Sequence, residues 1–251
     1  MIFLRQPNLL FLKTRKTAGT SVEIALSCSA GDDDIVTPVT TEDEIVRARM
    51  GGRAPLNWGR TLAADAAFHA GTRAAIARRA NGEPEAEYVM NRDEARIPSH
   101  ASAAQLEALL GADVFAAAFK VTMCRHPYEQ LVSQAHWRLS RPAWRAQGYT
   151  PETAFGDIID RLLADASGSN LAYYFIGDRY IADFVIRYEQ LDADLRTLEA
   201  RTGLPIVAHL PLTNHKVRTD RRPAREVLTE AQKLRCQERN RPEFERFGYE
   251  P

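Results

Sequence analysis

Cysteine is scarce in this chain: Cys28, Cys124 and Cys236 are the only three in 251 residues, far apart and without a CxxC pair. That excludes a disulfide scaffold and a thiolate metal site. Net charge is also lacking, with 33 Lys and Arg against 33 Asp and Glu. A polybasic nucleic-acid or membrane-surface protein is therefore not expected. Lysine is rare, only five of the 33 basic residues, so most positive charge sits on guanidinium groups suited to bidentate anion contacts. No apolar run approaches the ~18 residues of a membrane span; Lys120 interrupts the best of them, residues 114–123. Internal repeats and low-complexity tracts are missing, which removes solenoids. HExxH, GxSxG and Cys/His ligand clusters are missing too. The opening Met1-Ile2-Phe3-Leu4-Arg5-Gln6-Pro7 lacks secretion-signal anatomy, so a soluble protein in the reducing cytoplasm is the expectation. What remains is a chain with 45% hydrophobic residues, too apolar for disorder and long enough to bury roughly 70–75% of its unfolded surface.

Strand and helix patterns alternate along it. Residues 8–14 read as a buried strand, followed by a polar turn and a helix beginning near Val22-Glu23-Ile24-Ala25-Leu26. Residues 115–124 read as a second strand that ends at Arg125-His126-Pro127, with Pro127 suited to the first turn of a helix. Residues 180–188 read as a third strand, followed by a helix over 192–201 closed by Gly203. Thr150-Pro151 opens a helix with apolar residues at helical spacing. Ser102-x-x-Gln105 and Thr229-x-x-Gln232 are capping boxes. This alternation predicts one α/β domain, residues 1–251, around a parallel sheet. Residues 31–98, punctuated by Gly and Pro around a helical stretch at 61–79, read as a variable excursion from it.

The turn between the first strand and its helix carries Lys16-Thr17-Ala18-Gly19-Thr20-Ser21. Free N–H groups at a helix N-terminus, with Lys, Thr and Ser donors and a glycine for close approach, form a cradle for phosphate or sulfate. An ordinary capped helix with a surface lysine is the plain alternative. The order is not that of a Walker A loop, because Lys16 precedes the only glycine.

The stretch LKTRKTAGTSVEIAL resembles the 5′-phosphosulfate loop of the P-loop sulfotransferases, carbohydrate-type branch, with Arg15 where that family usually has proline. Arg125-His126-Pro127-Tyr128 with Ser133 resembles the family's second signature. Arg187-Tyr188-Glu189 with Leu191, Asp194 and Leu195 resembles a third. Asn214-His215-Lys216-Val217-Arg218 and the closing Phe247-Gly248-Tyr249 resemble its C-terminal pattern. The resemblance covers about residues 8–30 and 99–250. It implies a three-layer, P-loop NTPase-like fold with a central parallel sheet flanked by helices. It also implies transfer of the sulfuryl group of 3′-phosphoadenosine 5′-phosphosulfate (PAPS) to an acceptor hydroxyl, first of all on a saccharide, without an obligatory metal. Arg15, Lys16, Thr17, Ala18, Gly19, Thr20 and Ser21 would hold the phosphosulfate. Arg125 and Ser133 would hold the 3′-phosphate, Tyr188 would lie near the adenine, and Lys216 or Arg218 would close over an anionic group. For Tyr188 an ordinary core position, and for the last two a solvated basic loop, are equal alternatives.

Removing the acceptor proton needs a base. His100, in a loop just before the Ser102 capping box, resembles the family's base-bearing segment, with an ordinary loop or structural histidine as the alternative and Glu23 and Asp33 as reserves. Lys16 would neutralise the leaving group. Cys124 adjoins Arg125 but reads as a buried strand-end thiol. An ATP-dependent kinase using the same cradle, or a catalytically silent nucleotide-binding protein, are the competing readings. Residues 31–98 are expected to face the acceptor.

Overall fold

The computed structural model describes residues 1–80, 95–150, 152–165, 169–211, 218 and 220–251; Pro151 and Lys216 lie outside them. Strands β1 (Ile2–Leu4) and β2 (Leu9–Leu12) consist of apolar residues only, and every one is buried. Side chains alternate across a strand. Ile2, Leu4, Leu9 and Phe11 therefore enter one core with Val22 and Leu26 of α1 (Gly19–Ser27) and Leu195 and Leu198 of α9 (Leu191–Thr202). Phe3, Leu10 and Leu12 enter another with Leu106 of α4 (Ala103–Leu110) and Phe115 of α5 (Ala112–Ala117). Two-sided burial of this kind belongs to a sheet covered by helices on both faces.

Five strands form the sheet in the order β3-β1-β2-β4-β7, with β3 at Ile35–Val36, β4 at Phe119–Cys124 and β7 at Phe184–Arg187. The expected all-parallel sheet is corrected here. β2, β4 and β7 are parallel, but β1 pairs antiparallel with both β2 and β3. Only four residues separate β1 from β2, which suffices for a hairpin but not for the crossover that a parallel pair needs. Parts of 31–98 at both of its ends likewise belong to the core. β3 joins the sheet edge, α2 (Thr41–Arg49) packs beside α1, and Trp58 and Ile97 are fully buried. The helical stretch in that region is α3 (Leu62–Ala80).

A third apolar cluster joins α6 (Pro127–Ser140), α7 (Phe155–Ala164), α10 (Ala224–Val227), α11 (Glu230–Arg239) and α12 (Arg241–Phe247) through Leu131, Ile158, Leu162, Ala224, Cys236 and Phe244. Local signals account for several element ends. Pro127 occupies the first turn of α6, both capping boxes form, and Gly203 closes α9 at φ 72°. α8 (Leu171–Tyr174) and a small hairpin, β5 (Phe175–Ile176) with β6 (Arg179–Tyr180), lead into β7. The expected strand over 180–188 is thus two shorter ones. Among the described residues no helix is long and apolar enough to cross a membrane.

Candidate functional site

The parallel strands end in register: Leu12 lies beside Thr122, and Cys124 beside Arg187. Their C-terminal ends therefore deliver three segments to one edge of the sheet: the loop 13–18, Arg125 and Tyr188. That edge is where open α/β sheets place ligands.

The loop is held by contacts that its own sequence does not announce. Asn170 clamps the backbone of Arg15 from both sides, its Oδ1 accepting from the Arg15 N–H at 2.9 Å and its Nδ2 donating to the Arg15 carbonyl at 3.0 Å. The Thr14 and Thr17 hydroxyls pair at 2.8 Å, and Thr14 also donates to the Met123 carbonyl of β4. Thr17 is thus buried with its hydroxyl turned into the protein. Lys16 and Ala18 both sit at positive φ, 60° and 69°, an unfavourable region for side-chain-bearing residues. Gly19 meets a different demand, since a Cβ there would lie 3.1 Å from Lys13 Cγ and 3.2 Å from the Thr14 carbonyl. This close approach starts α1 directly beneath the loop. Thr20 and Ser21 lie in its first turn, Ser21 buried and Thr20 half-buried.

Lys16 is half-buried, and its Nζ stands 5.6 Å from the centre of the Trp137 ring. Burial, then the charges of Arg125 and Arg141, pull its pKa to about 8, with Asp43 opposing them. An incoming anion relieves that repulsion.

Arg125 leaves the end of β4 and donates from Nη1 to the Lys16 carbonyl at 3.2 Å, linking the second segment to the loop. Its guanidinium carbon lies 4.1 Å over the Tyr188 ring. Tyr188 is 39% exposed, which removes the core-tyrosine alternative. Glu129, one helical turn beyond Arg125, bridges two cations: its Oε2 lies 3.6 Å from Arg125 Nη2 and pairs with Arg218 Nη1. Arg218 also donates to the Asp220 and Arg222 carbonyls. Arg125 and Arg218 therefore meet at one carboxylate. Ser133 is half-buried on the same helix, α6. Cys124 is fully buried, and burial pushes its thiol up to about 12, so the neighbouring arginine does not activate it.

His100 reaches the loop from the other side. Its Nδ1 lies 3.0 Å from the Lys13 carbonyl. A carbonyl only accepts, so Nδ1 carries the hydrogen and Nε2 keeps its lone pair. Burial, then the charges of Lys13, the amino terminus and Arg15, hold the imidazole well below its usual pKa. The neutral ring makes an edge contact with Tyr173, over which Arg15 also sits.

The two reserve carboxylates are corrected. Glu23 is fully buried and committed: Lys13 Nζ lies 2.7 Å from one oxygen, and the Met1 amine 3.2 Å and Arg47 3.6 Å from the other. Asp33 lies at the opposite end of the sheet, where its carbonyl accepts from Arg5 beyond β1. There it lines a charged cavity of about 570 Å³ with Arg5, Asp32, Asn57 and Arg96.

Asn170, Glu129 and Trp137 build the site yet were not singled out in the sequence. Glu129 stands four residues after Arg125 at helical spacing, a readable signal; Asn170 is 155 residues from its partner and had none. Comparison of the chain with protein-family models, curated proteins and solved structures finds no match.

Proposed function

We propose that the protein is a sulfotransferase that moves the sulfuryl group of PAPS to an acceptor hydroxyl, a saccharide hydroxyl first, in a reducing cytoplasmic setting that suits its three free thiols. The observation that carries this reading is the Arg125–Lys16 contact. It joins an anion cradle at a helix N-terminus to a second cationic centre, over an exposed aromatic ring. A nucleotide with phosphate groups at both its 5′ and 3′ positions needs two such centres. The fit extends to an unspent donor, since Arg125 Nε is buried without a hydrogen-bond partner among the described residues.

In this reading the first-turn N–H groups of α1, with Thr20 and Ser21, hold the 5′ end. Arg125 and Arg218, with Ser133, hold the 3′-phosphate, and Tyr188 borders the base. The acceptor oxygen bonds to sulfur as the bond from sulfur to the bridging phosphate oxygen breaks, and 3′-phosphoadenosine 5′-phosphate (PAP) leaves with that electron pair. Lys16 offsets the negative charge growing on the bridging oxygen. His100 Nε2 takes the acceptor proton.

PAP should raise the melting temperature far more than ADP, measured by differential scanning fluorimetry. Losing one charge-assisted contact costs about 1.5–3 kcal/mol, so Arg125→Ala should weaken PAP binding roughly 10- to 150-fold. Equal stabilisation by ADP and PAP would overturn the donor assignment.

Lys16 supplies a second check. With its pKa near 8 in the free protein, a bound dianion raises that pKa and draws in a proton. Calorimetry at about pH 8.5 in buffers of different ionisation enthalpy should show net proton uptake on PAP binding. Lys16→Met should abolish that uptake; uptake unchanged in the variant would assign it to another group.

A further inference from the structure

Lys16 is bordered by aromatic rings that the nucleotide reading does not use. Trp137, in the last turns of α6, lies beside the Lys16 ammonium. Behind it stands Trp144, with ring centres 5.7 Å apart and a tilt of 59°. Trp144 is itself pinned, with the Arg138 guanidinium 3.5 Å over its face and Tyr149 against its edge. Trp137 is half-buried. Arg141, at the end of α6, meets Glu42 Oε1 through its Nη1 at 3.3 Å, which ties that end to the first turn of α2. Asp43 follows in that turn, and Lys16 feels the charges of both Arg141 and Asp43.

We infer that Trp137 is the floor of the acceptor subsite and seats a saccharide ring, with Arg141, Glu42 and Asp43 at its rim. This rests on the sulfuryl-transfer reading, because it takes Lys16 as the point of transfer. The chemistry of the border selects the class. A rigid aromatic face beside both cationic and anionic side chains matches a ligand with apolar C–H faces and a hydroxyl-bearing edge. A simple phenol offers one hydroxyl and would leave that charged rim unmatched. Arg141 and the α2 turn also bring residues from 31–98 to the acceptor side.

Tryptophan fluorescence tests the platform directly, with and without saturating PAP. Trp58 is fully buried against Phe68 and serves as a silent background. Cellobiose, chitobiose and a heparosan tetrasaccharide are titrated in turn, with 2-naphthol as the aromatic comparison. A saturable change with at least one saccharide is expected. Labelled PAPS then reports transfer to the same four compounds. Trp137→Ala should lower kcat/KM for the saccharide by about 10-fold or more, chiefly through KM, while stabilisation by PAP persists. Trp137→Phe should recover most of that loss, which a folding defect in the alanine variant would not mimic. No fluorescence change with any saccharide, or label entering 2-naphthol as readily as the saccharides, would overturn the platform. So would an alanine variant with wild-type KM. Failure of PAP to stabilise the wild-type protein strikes the donor reading instead, and the titration without nucleotide still judges the platform.

Discussion

Replacing His100 by alanine should slow the proposed sulfuryl transfer by about 10²–10⁴-fold, the usual contribution of a general base, while PAP binding stays near wild type. The Lys13 carbonyl fixes the tautomer that leaves Nε2 free to accept a proton. Burial and neighbouring positive charge keep the ring neutral. The sequence alone places the pH inflection near the ordinary histidine value; the structure moves it to lower pH. The wild-type rate should therefore be flat through neutrality and fall only in acid, where the imidazole becomes protonated and can no longer accept. That acid limb should be absent from the alanine variant. His100→Asn separates chemistry from bracing, because an asparagine amide can still donate to the Lys13 carbonyl but cannot act as a base. Its melting temperature should stay close to wild type while its turnover falls as far as that of the alanine variant. An asparagine enzyme that turns over normally would make His100 a brace for the loop and move the base elsewhere.

Glu23→Gln should cost about 3–5 kcal/mol of unfolding free energy, as removing one partner of a buried ion pair typically does. Glu23 is fully buried in contact with Lys13, the Met1 amine and Arg47, and Thr37 donates to it at 2.9 Å. Glutamine leaves the buried Lys13 ammonium without its carboxylate, while Arg47 keeps Glu44 at 2.8 Å. Burial alone would raise the Glu23 pKa, but Lys13, the amino terminus and Arg47 outweigh it and hold it at about 2, below the ordinary 4.5. The folded state thus binds this proton less readily than the unfolded chain. The stabilisation is complete above about pH 4.5 and is lost as the pH falls towards 2. Urea titrations over that range should show a steep acid loss in the wild type and a flatter one in Glu23→Gln. Parallel slopes would mean that another carboxylate carries the acid sensitivity.

Much of the fold's central layer was legible because its signals are local. Leu9–Leu12 is apolar throughout, Pro127 and the two capping boxes mark helix starts, and Gly203 marks a helix end. β1 was missed because three residues ahead of a Gln-Pro turn carry too little periodicity to read as a strand, although the finished sheet buries all three. The site divides in the same way. The loop and Arg125 were visible as motifs. The proximity of Trp137 to Lys16, the Asn170 clamp and the burial of Glu23 arise only when distant segments meet. No local pattern in Val22-Glu23-Ile24 distinguishes a surface carboxylate from one enclosed by three cations.

The Asn170 clamp also sets an order of assembly. The turn after β2 contains two non-glycine residues in the left-handed region, and two of its backbone hydrogen bonds come from a side chain 155 positions later. Contacts of such long sequence separation form late, because closing the intervening chain costs entropy before the contact returns any stability. A nascent chain can pair β1 with β2 early through their short hairpin, yet it lacks the partner that holds Arg15 until residue 170 has been made and folded back. That loop conformation is therefore a product of the completed domain, and a fragment that stops before Asn170 would keep the sequence motif without the contacts that hold its shape.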